Sequence, residues 1–288
     1  MDAVIAYVNP MDEYWRVQYD LVVGGILSED RYTDYGILKY ALRGISEHMP
    51  YIENVFLIVS SESQIPDYVN TEKVKIVLHK DFIPQEFLPT FSPSAIECFL
   101  WNIPGLSEQF IYFNDDMVPI SEIHEEEFFN GNTPCMVFTD ENIKDGQYKT
   151  YIEMTNKRIS RIAGIETTEL LRPIHTAIPY LKSVYRGIYD VAERTIVPSI
   201  KKIRTANCTM QYFFTNYGYY FGVYDKLTPK LLYLKTCDVD KIDSNFANCQ
   251  ILCINDTTKS TMSTFSERKE KITSILDSIL PNKSKYEL

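Results

Sequence analysis

Phe110-Ile111-Tyr112-Phe113-Asn114-Asp115-Asp116-Met117 reads as a short buried β-strand that stops at two adjacent carboxylates. Apolar and aromatic side chains run unbroken to Phe113, the pattern of a strand covered on both faces. Ligands of open α/β sheets bind just beyond the carboxyl ends of the strands, and two acids there suit a divalent metal holding a diphosphate. By itself the stretch also suits a polar turn after a core strand, because Asn and Asp are ordinary turn residues.

The flanking sequence repeats the theme. Ala3-Val4-Ile5-Ala6-Tyr7-Val8 is strand-like and stops at Asn9-Pro10, and a helix is expected from about Asp12 to Leu27. A second helix carries Leu38, Ala41, Leu42 and Ile45 at helical spacing, with Thr33 or Asp34 as its cap. Val55 to Val59 and Val74 to Leu78 are two further strands, and Ser92-Pro93 opens a helix that places Ile96, Phe99 and Leu100 on one face. Strand, helix, strand, strand, helix, strand predicts an α/β domain with a mostly parallel sheet and flanking helices.

Residues 121–171 read as an insertion or variable segment within a single catalytic domain, 1–288. It holds a strand near Cys135 to Phe138, a surface loop from Asp140 to Lys149 and a helix from about Tyr151 to Ile162. Helical or mixed segments follow near 183–195 and 209–220. Leu231 to Leu234 and Gln250 to Ile254 read as strands, the second ending at Asn255-Asp256. Residues 265–288 begin with an amphipathic helix whose apolar face is Ile272, Ile275, Leu276 and Ile279, expected to pack on the domain.

The chain has 288 residues, 45% hydrophobic, with a net charge of -10, which argues against nucleic acid as a partner. The acidic run His124-Glu125-Glu126-Glu127 reads as a solvated face. Twenty-one Tyr and 15 Phe suit either a sugar-stacking surface or a core with wet phenol tips. Six cysteines, without zinc spacing, read as buried free thiols of a reducing compartment. No stretch reaches the about 18–20 apolar residues of a membrane span, and no signal peptide is read, so a cytoplasmic location is expected.

Two further groups carry candidate chemistry. His175 is framed by Pro173 and Pro179 on a non-helical segment, a fit place for a base facing a hydroxyl, although a lone histidine also serves structure. Arg204 follows Lys201 and Lys202, either as part of a surface basic cluster or as a guanidinium that clamps phosphate oxygens.

Arg31-Tyr32-Thr33-Asp34-Tyr35-Gly36-Ile37-Leu38-Lys39-Tyr40-Ala41-Leu42-Arg43 resembles the RFRDNxELRYSLR block of the Stealth family. Leu88 to Glu97 and Ile103 to Met117 resemble the same family more closely, and Ala3 to Asn9, Arg172 to Pro179 and Ile254 to Asp256 match further blocks in order. The family includes bacterial capsular-polysaccharide phosphotransferases and the eukaryotic enzyme that starts the mannose-6-phosphate tag on lysosomal proteins. The resemblance implies a glycosyltransferase-A-like, Rossmann-like core. It implies transfer of a hexose-1-phosphate, often N-acetylglucosamine-1-phosphate, from a UDP-sugar donor to a glycan acceptor, with release of UMP and dependence on Mg²⁺ or Mn²⁺. Peripheral association with membrane-bound polysaccharide machinery is expected with it.

On this reading His175 takes the acceptor proton, Asp116 with Asp115 or Asp256 holds the metal, and Arg204 neutralises phosphoryl charge. Asn9, Arg31, Arg43 and Asn114 shape the donor pocket. The sequence departs from the family pattern at Tyr7-Val8, at Pro10 and at His175-Thr176-Ala177. A glycosyltransferase releasing UDP and a non-catalytic carbohydrate-binding protein are the alternative readings.

Overall fold

The computed structural model describes residues 1–24, 32–136, 138, 146–167, 169, 171–205, 212–226, 231–235, 246, 248–255 and 264–288. Strand β1 (Asp2–Ala6) leads through Asn9-Pro10 to helix α1 (Glu13–Val23), and α2 (Leu38–His48) precedes β2 (Asn54–Val59) and β3 (Val74–Leu78). Two short helices follow, α3 (His79–Phe82) and α4 (Pro93–Glu97), then β4 (Gln109–Asn114) and β5 (Met117–Pro119). The middle of the chain supplies β6 (Phe129–Asn130), β7 (Thr133–Met136), α5 (Gln147–Ala163), β8 (Ile178–Leu181), α6 (Lys182–Ile196) and α7 (Tyr212–Tyr220). The last described elements are β9 (Asp225–Lys226), β10 (Leu231–Lys235), β11 (Ile251–Asn255) and α8 (Phe265–Ile279).

The main sheet has the order β3-β2-β1-β4-β8, parallel except for the β4–β8 edge. Its strands are apolar at successive positions because alternate side chains enter two different cores. Val4, Phe56, Ile58, Phe110 and Tyr112 pack with α4, α6 and α7. Ala3, Ile5, Val55, Leu57, Ile111 and Phe113 pack on the other face with Leu38, Leu42 and Ile45 of α2. The expected mostly parallel α/β sheet with flanking helices is therefore the observed one. The order reverses between β1 and β4, so the crevice at their carboxyl ends is the topological switch point.

A second sheet, β10-β11-β5, grows directly from the end of β4, with β5 antiparallel to β11. A Cβ at Gly44 would lie 2.1 Å from the carbonyl oxygen of Pro119, so only glycine lets α2 approach β5 this closely. Helix α8 covers this second sheet. Ile272 and Leu276 are wholly buried against Tyr35, Tyr40, Val118 and Leu252, so the apolar stripe of α8 is spent inside the protein. No helix among the described residues is long and apolar enough to cross a membrane.

Several local expectations shift. Helix α1 stops at Val23 rather than at Leu27, because Gly24 turns the chain left-handed at φ 66° and bonds back to Asp20. Neither Thr33 nor Asp34 caps α2, which starts at Leu38 without a side-chain cap. Ser92 and Pro93 open α4 as expected, with Ser92 at the N-cap but without a side-chain capping bond, and the helix ends at Glu97, a 3₁₀ turn over Leu100–Asn102 following. Residues 147–149, expected in a loop, form the first turn of α5. Cys98, Cys135, Cys249 and Cys253 are buried thiols that form no disulfide among the described residues, as expected, while Cys208 and Cys237 lie outside them.

Candidate active site

The turn at Asp115-Asp116 joins the main sheet to the second one, and this junction fixes the carboxylates. Ile254 donates its backbone N–H to the Asp116 carbonyl at 2.9 Å, stitching β11 to the end of β4. Three side chains then converge on one oxygen, Asp116 Oδ2. His175 Nε2 lies at 3.2 Å, Asn255 Nδ2 donates at 3.0 Å, and Cys253 Sγ donates at 3.6 Å. The other oxygen, Oδ1, is buried with no hydrogen-bond partner among the described residues. Such a buried lone pair is costly unless something else satisfies it.

The electrostatics follow from these contacts. Burial pushes the Asp116 carboxyl upward, but His175, Asn255 and Cys253 outweigh it and hold it below the ordinary range. Burial depresses His175, while the charge and hydrogen bond of Asp116 more than reverse that and raise it. Glu97 adds to the rise and Arg204 opposes it. The pair is thus a carboxylate beside a proton-hungry imidazole. Burial, with the neighbouring Asp116 charge, drives the Cys253 thiol far up, so it stays protonated.

Asp115 faces a different set of groups. Burial, then Asp116 and Asp34, raise its carboxyl well above the usual range, although it accepts the backbone N–H of Val8. Asp34 is held by the Tyr7 hydroxyl at 2.9 Å and by the Gly36 N–H at 2.6 Å. Three carboxyl groups therefore crowd the β1/β4 edge. Hard oxygen donors with one buried oxygen lacking a protein partner fit a divalent cation, and Asp115 and Asp116 would hold it.

The structure brings Asp116, His175 and Arg204 into one electrostatic neighbourhood. Arg204 lies over the Tyr151 ring, 5.6 Å from its centroid, which orients the guanidinium. Asn114 ends β4 opposite Ala6 of β1, at the rim of the crevice. Asn9 lies beyond β1. Its backbone is gripped in both directions by the buried Gln64 side chain, and its own Oδ1 accepts from Met11 N–H, so it shapes the loop.

Arg43 is a correction. Its guanidinium is buried and forked onto the Glu287 carboxylate at 3.0 Å, with a further bond to the Leu280 carbonyl. It clamps the C-terminal segment and is not positioned as a donor-pocket residue. Arg31 and Asp256 lie outside the described residues.

Three neighbours escaped the sequence reading as site residues, and a fourth, Asn255, entered it only as the polar end of a strand. Glu97, almost wholly buried, acts on His175 from α4, and its acidity inside an otherwise apolar segment was the available signal. Cys253 and Asp34 gave no such signal, and the meeting of Cys253 and Asn255 with Asp116 depends on the pairing of β11 with β5.

Residues 31–136 match the family model described as Stealth protein CR2, conserved region 2. The capsular polysaccharide phosphotransferase cps12A of Actinobacillus pleuropneumoniae is 30% identical over 84% of this chain and 67% of its own length. The chain belongs to the Stealth family. A second relative, the receptor polysaccharide phosphotransferase WefC of Streptococcus gordonii, is 26% identical over 100% of this chain and 99% of its own. A crystal structure of the galactosyltransferase LgtC, in complex with donor and acceptor sugar analogs, covers 97% of this chain at a TM-score of 0.49 and 11% identity. The strand order, not that likeness, establishes the fold class. The matched Stealth region contains Asp34, Glu97, Asp115 and Asp116, while His175, Arg204, Cys253 and Asn255 reach them from outside it.

Proposed function

We propose that this Stealth chain transfers a hexose-1-phosphate, N-acetylglucosamine-1-phosphate in the first instance, from a UDP-sugar to a glycan hydroxyl in capsular or cell-surface polysaccharide synthesis. The observation that carries the reading is the Asp116–His175 contact at the switch point, with Asp116 Oδ1 buried and without a protein partner among the described residues. Its polysaccharide-phosphotransferase relatives support the reaction class.

The chemistry assigns each group a task. His175 donates Nε2–H to Asp116, which leaves the basic lone pair on Nδ1 and strengthens it. The imidazole takes the proton of the acceptor hydroxyl, whose oxygen forms a bond to the donor's β-phosphorus as the bond to the UMP oxygen breaks. Asp116 stabilises the imidazolium that results, and Asn255 keeps the carboxylate oriented. Arg204 offsets charge on the phosphoryl oxygens, work that depends on position more than on covalent chemistry. A divalent cation, Mg²⁺ or Mn²⁺, held by Asp115 and Asp116 would neutralise the diphosphate.

The test is incubation with a panel of UDP-sugars, glycan acceptors and Mg²⁺ or Mn²⁺, read by the nucleotide released. UMP is the expected product. UDP would mean attack at the anomeric carbon and ordinary glycosyl transfer. Glycan binding with no nucleotide released would mark a binding protein.

A further inference from the structure

The proposed transfer has no use for a thiol, yet Cys253 points one at its central carboxylate. We propose that Asp116, His175 and Cys253 form a binding site for a thiophilic divalent cation of the Zn²⁺ class, and that its occupation shuts off the transfer reaction. The inhibitory part rests on the function proposed above; the binding part does not.

The donor set and its spacing carry the argument. One carboxylate oxygen, one imidazole nitrogen and one sulfur lie within 4.8 Å of one another. An imidazole and a thiolate beside a carboxylate form a mixed nitrogen, sulfur and oxygen set of the kind that holds zinc, whereas magnesium seeks oxygen donors alone. Zinc bonds of about 2.0–2.3 Å in a tetrahedron set ligand-to-ligand edges of roughly 3.3–3.6 Å. The observed edges from Asp116 Oδ2 are 3.2 Å to His175 Nε2 and 3.6 Å to Cys253 Sγ. Two of the three edges thus already stand near tetrahedral spacing, and the third lies within 4.8 Å. Entry is from the crevice, since the His175 and Asp116 side chains keep 30% and 16% exposure above the buried thiol.

Binding exchanges protons for metal. The cation takes the Cys253 sulfur as thiolate, whose proton leaves to solvent. It also takes the Nε2 lone pair of the other neutral His175 tautomer, the Nε2 proton being given up to water while Nδ1 takes one from water. A water molecule fills the fourth position. The Asp116–His175 hydrogen bond is lost, and with it the orientation of the base. Mg²⁺ or Mn²⁺ on the acids leaves that hydrogen bond in place, so the hard cation supports the reaction and the soft one blocks it.

Cobalt(II) is the probe, because thiolate ligation gives it a charge-transfer absorption in the near ultraviolet. The metal-stripped full chain is titrated with Co²⁺, then with Zn²⁺ or Mg²⁺. Expected are a thiolate–cobalt band saturating at one equivalent, displacement by Zn²⁺ but not by Mg²⁺, and loss of the band in Cys253→Ser with at least a tenfold drop in Zn²⁺ affinity. Cys253→Ala and Asp116→Asn, checked for folding by circular dichroism, should behave alike. A band that survives in Cys253→Ser, or Zn²⁺ affinity equal to that of the wild type, would overturn the site. Zn²⁺ bound through Cys253 while UMP release continues undiminished would overturn the inhibitory role. If the band behaves as expected but no UMP is ever released, the metal site stands and the proposed transfer falls.

Discussion

Two charged clusters in this protein look alike on paper and differ in what they lack. Arg43 and Glu287 meet across the chain in a buried pair. Arg43 forks onto both carboxylate oxygens and a backbone carbonyl, and Glu287 also accepts from the Ser284 N–H and hydroxyl. Asp116 is held as firmly on one oxygen, but its other oxygen is buried without a partner among the described residues. A polar group whose partners all come from its own chain is holding the fold together. One left with an unanswered lone pair at a sheet's switch point is set for a ligand.

That contrast sets the largest expected effect. Arg43→Ala strands Glu287 as a buried charge and should cost about 3–5 kcal/mol of stability, read from urea midpoints, with turnover per folded molecule unchanged. Arg43→Lys should recover only part, since an ammonium cannot reproduce the fork. A stable Arg43→Ala with lost donor affinity would return Arg43 to the donor pocket. Next, His175→Ala or Arg204→Ala should lower turnover by about 10²–10³ with thermal midpoints close to wild type, the reverse signature.

The acid limb of stability sharpens the comparison further. Burial works to raise the Glu287 carboxyl, but the Arg43 fork and the Ser284 N–H outweigh it and leave it below its ordinary value of 4.5. A depressed carboxylate contributes its stability above the unfolded value and loses it as the pH falls through the folded one. Wild-type stability should therefore fall as the pH drops below about 4.5, and Glu287→Gln should lose less stability over that window, in urea titrations at matched pH. The smallest effect is local. Asp12→Ala removes the cap that accepts from Trp15 N–H at 2.6 Å and should cost about 1 kcal/mol with no change in kinetics.

The comparison also shows what a sequence can disclose. β1, β2 and β4 were legible because burial on both faces leaves nearly unbroken apolar runs, β3 because Val74, Ile76, Val77 and Leu78 remain apolar around an exposed Lys75 at the sheet edge, and Asn114-Asp115-Asp116 marked where β4 stops. His175 stood out in its proline frame, which equally suits a structural histidine; the family block over Arg172 to Pro179 singled it out, and it does meet Asp116. Arg43 was misread because helical spacing shows that a residue lies on α2 but not that Glu287, 244 residues away, will meet it. Cys253 was missed for the same reason, and Asn255 was seen only as a strand's polar end, since antiparallel pairing of β11 with β5 carries both to Asp116. Asp34 looked like a helix cap because Asp is a good one, yet the phenol of Tyr7 and the Gly36 turn claim it.

The account stands on Asp116 as the residue that orients the base and faces the diphosphate. Purified wild type and Asp116→Asn, matched for folding by circular dichroism, can be compared for UMP release from a UDP-sugar with Mg²⁺ or Mn²⁺ and a glycan acceptor. Expected is metal-dependent UMP release by the wild type, falling by at least about 10² in the variant. Release of UDP instead, or a variant as fast as the wild type, would contradict it.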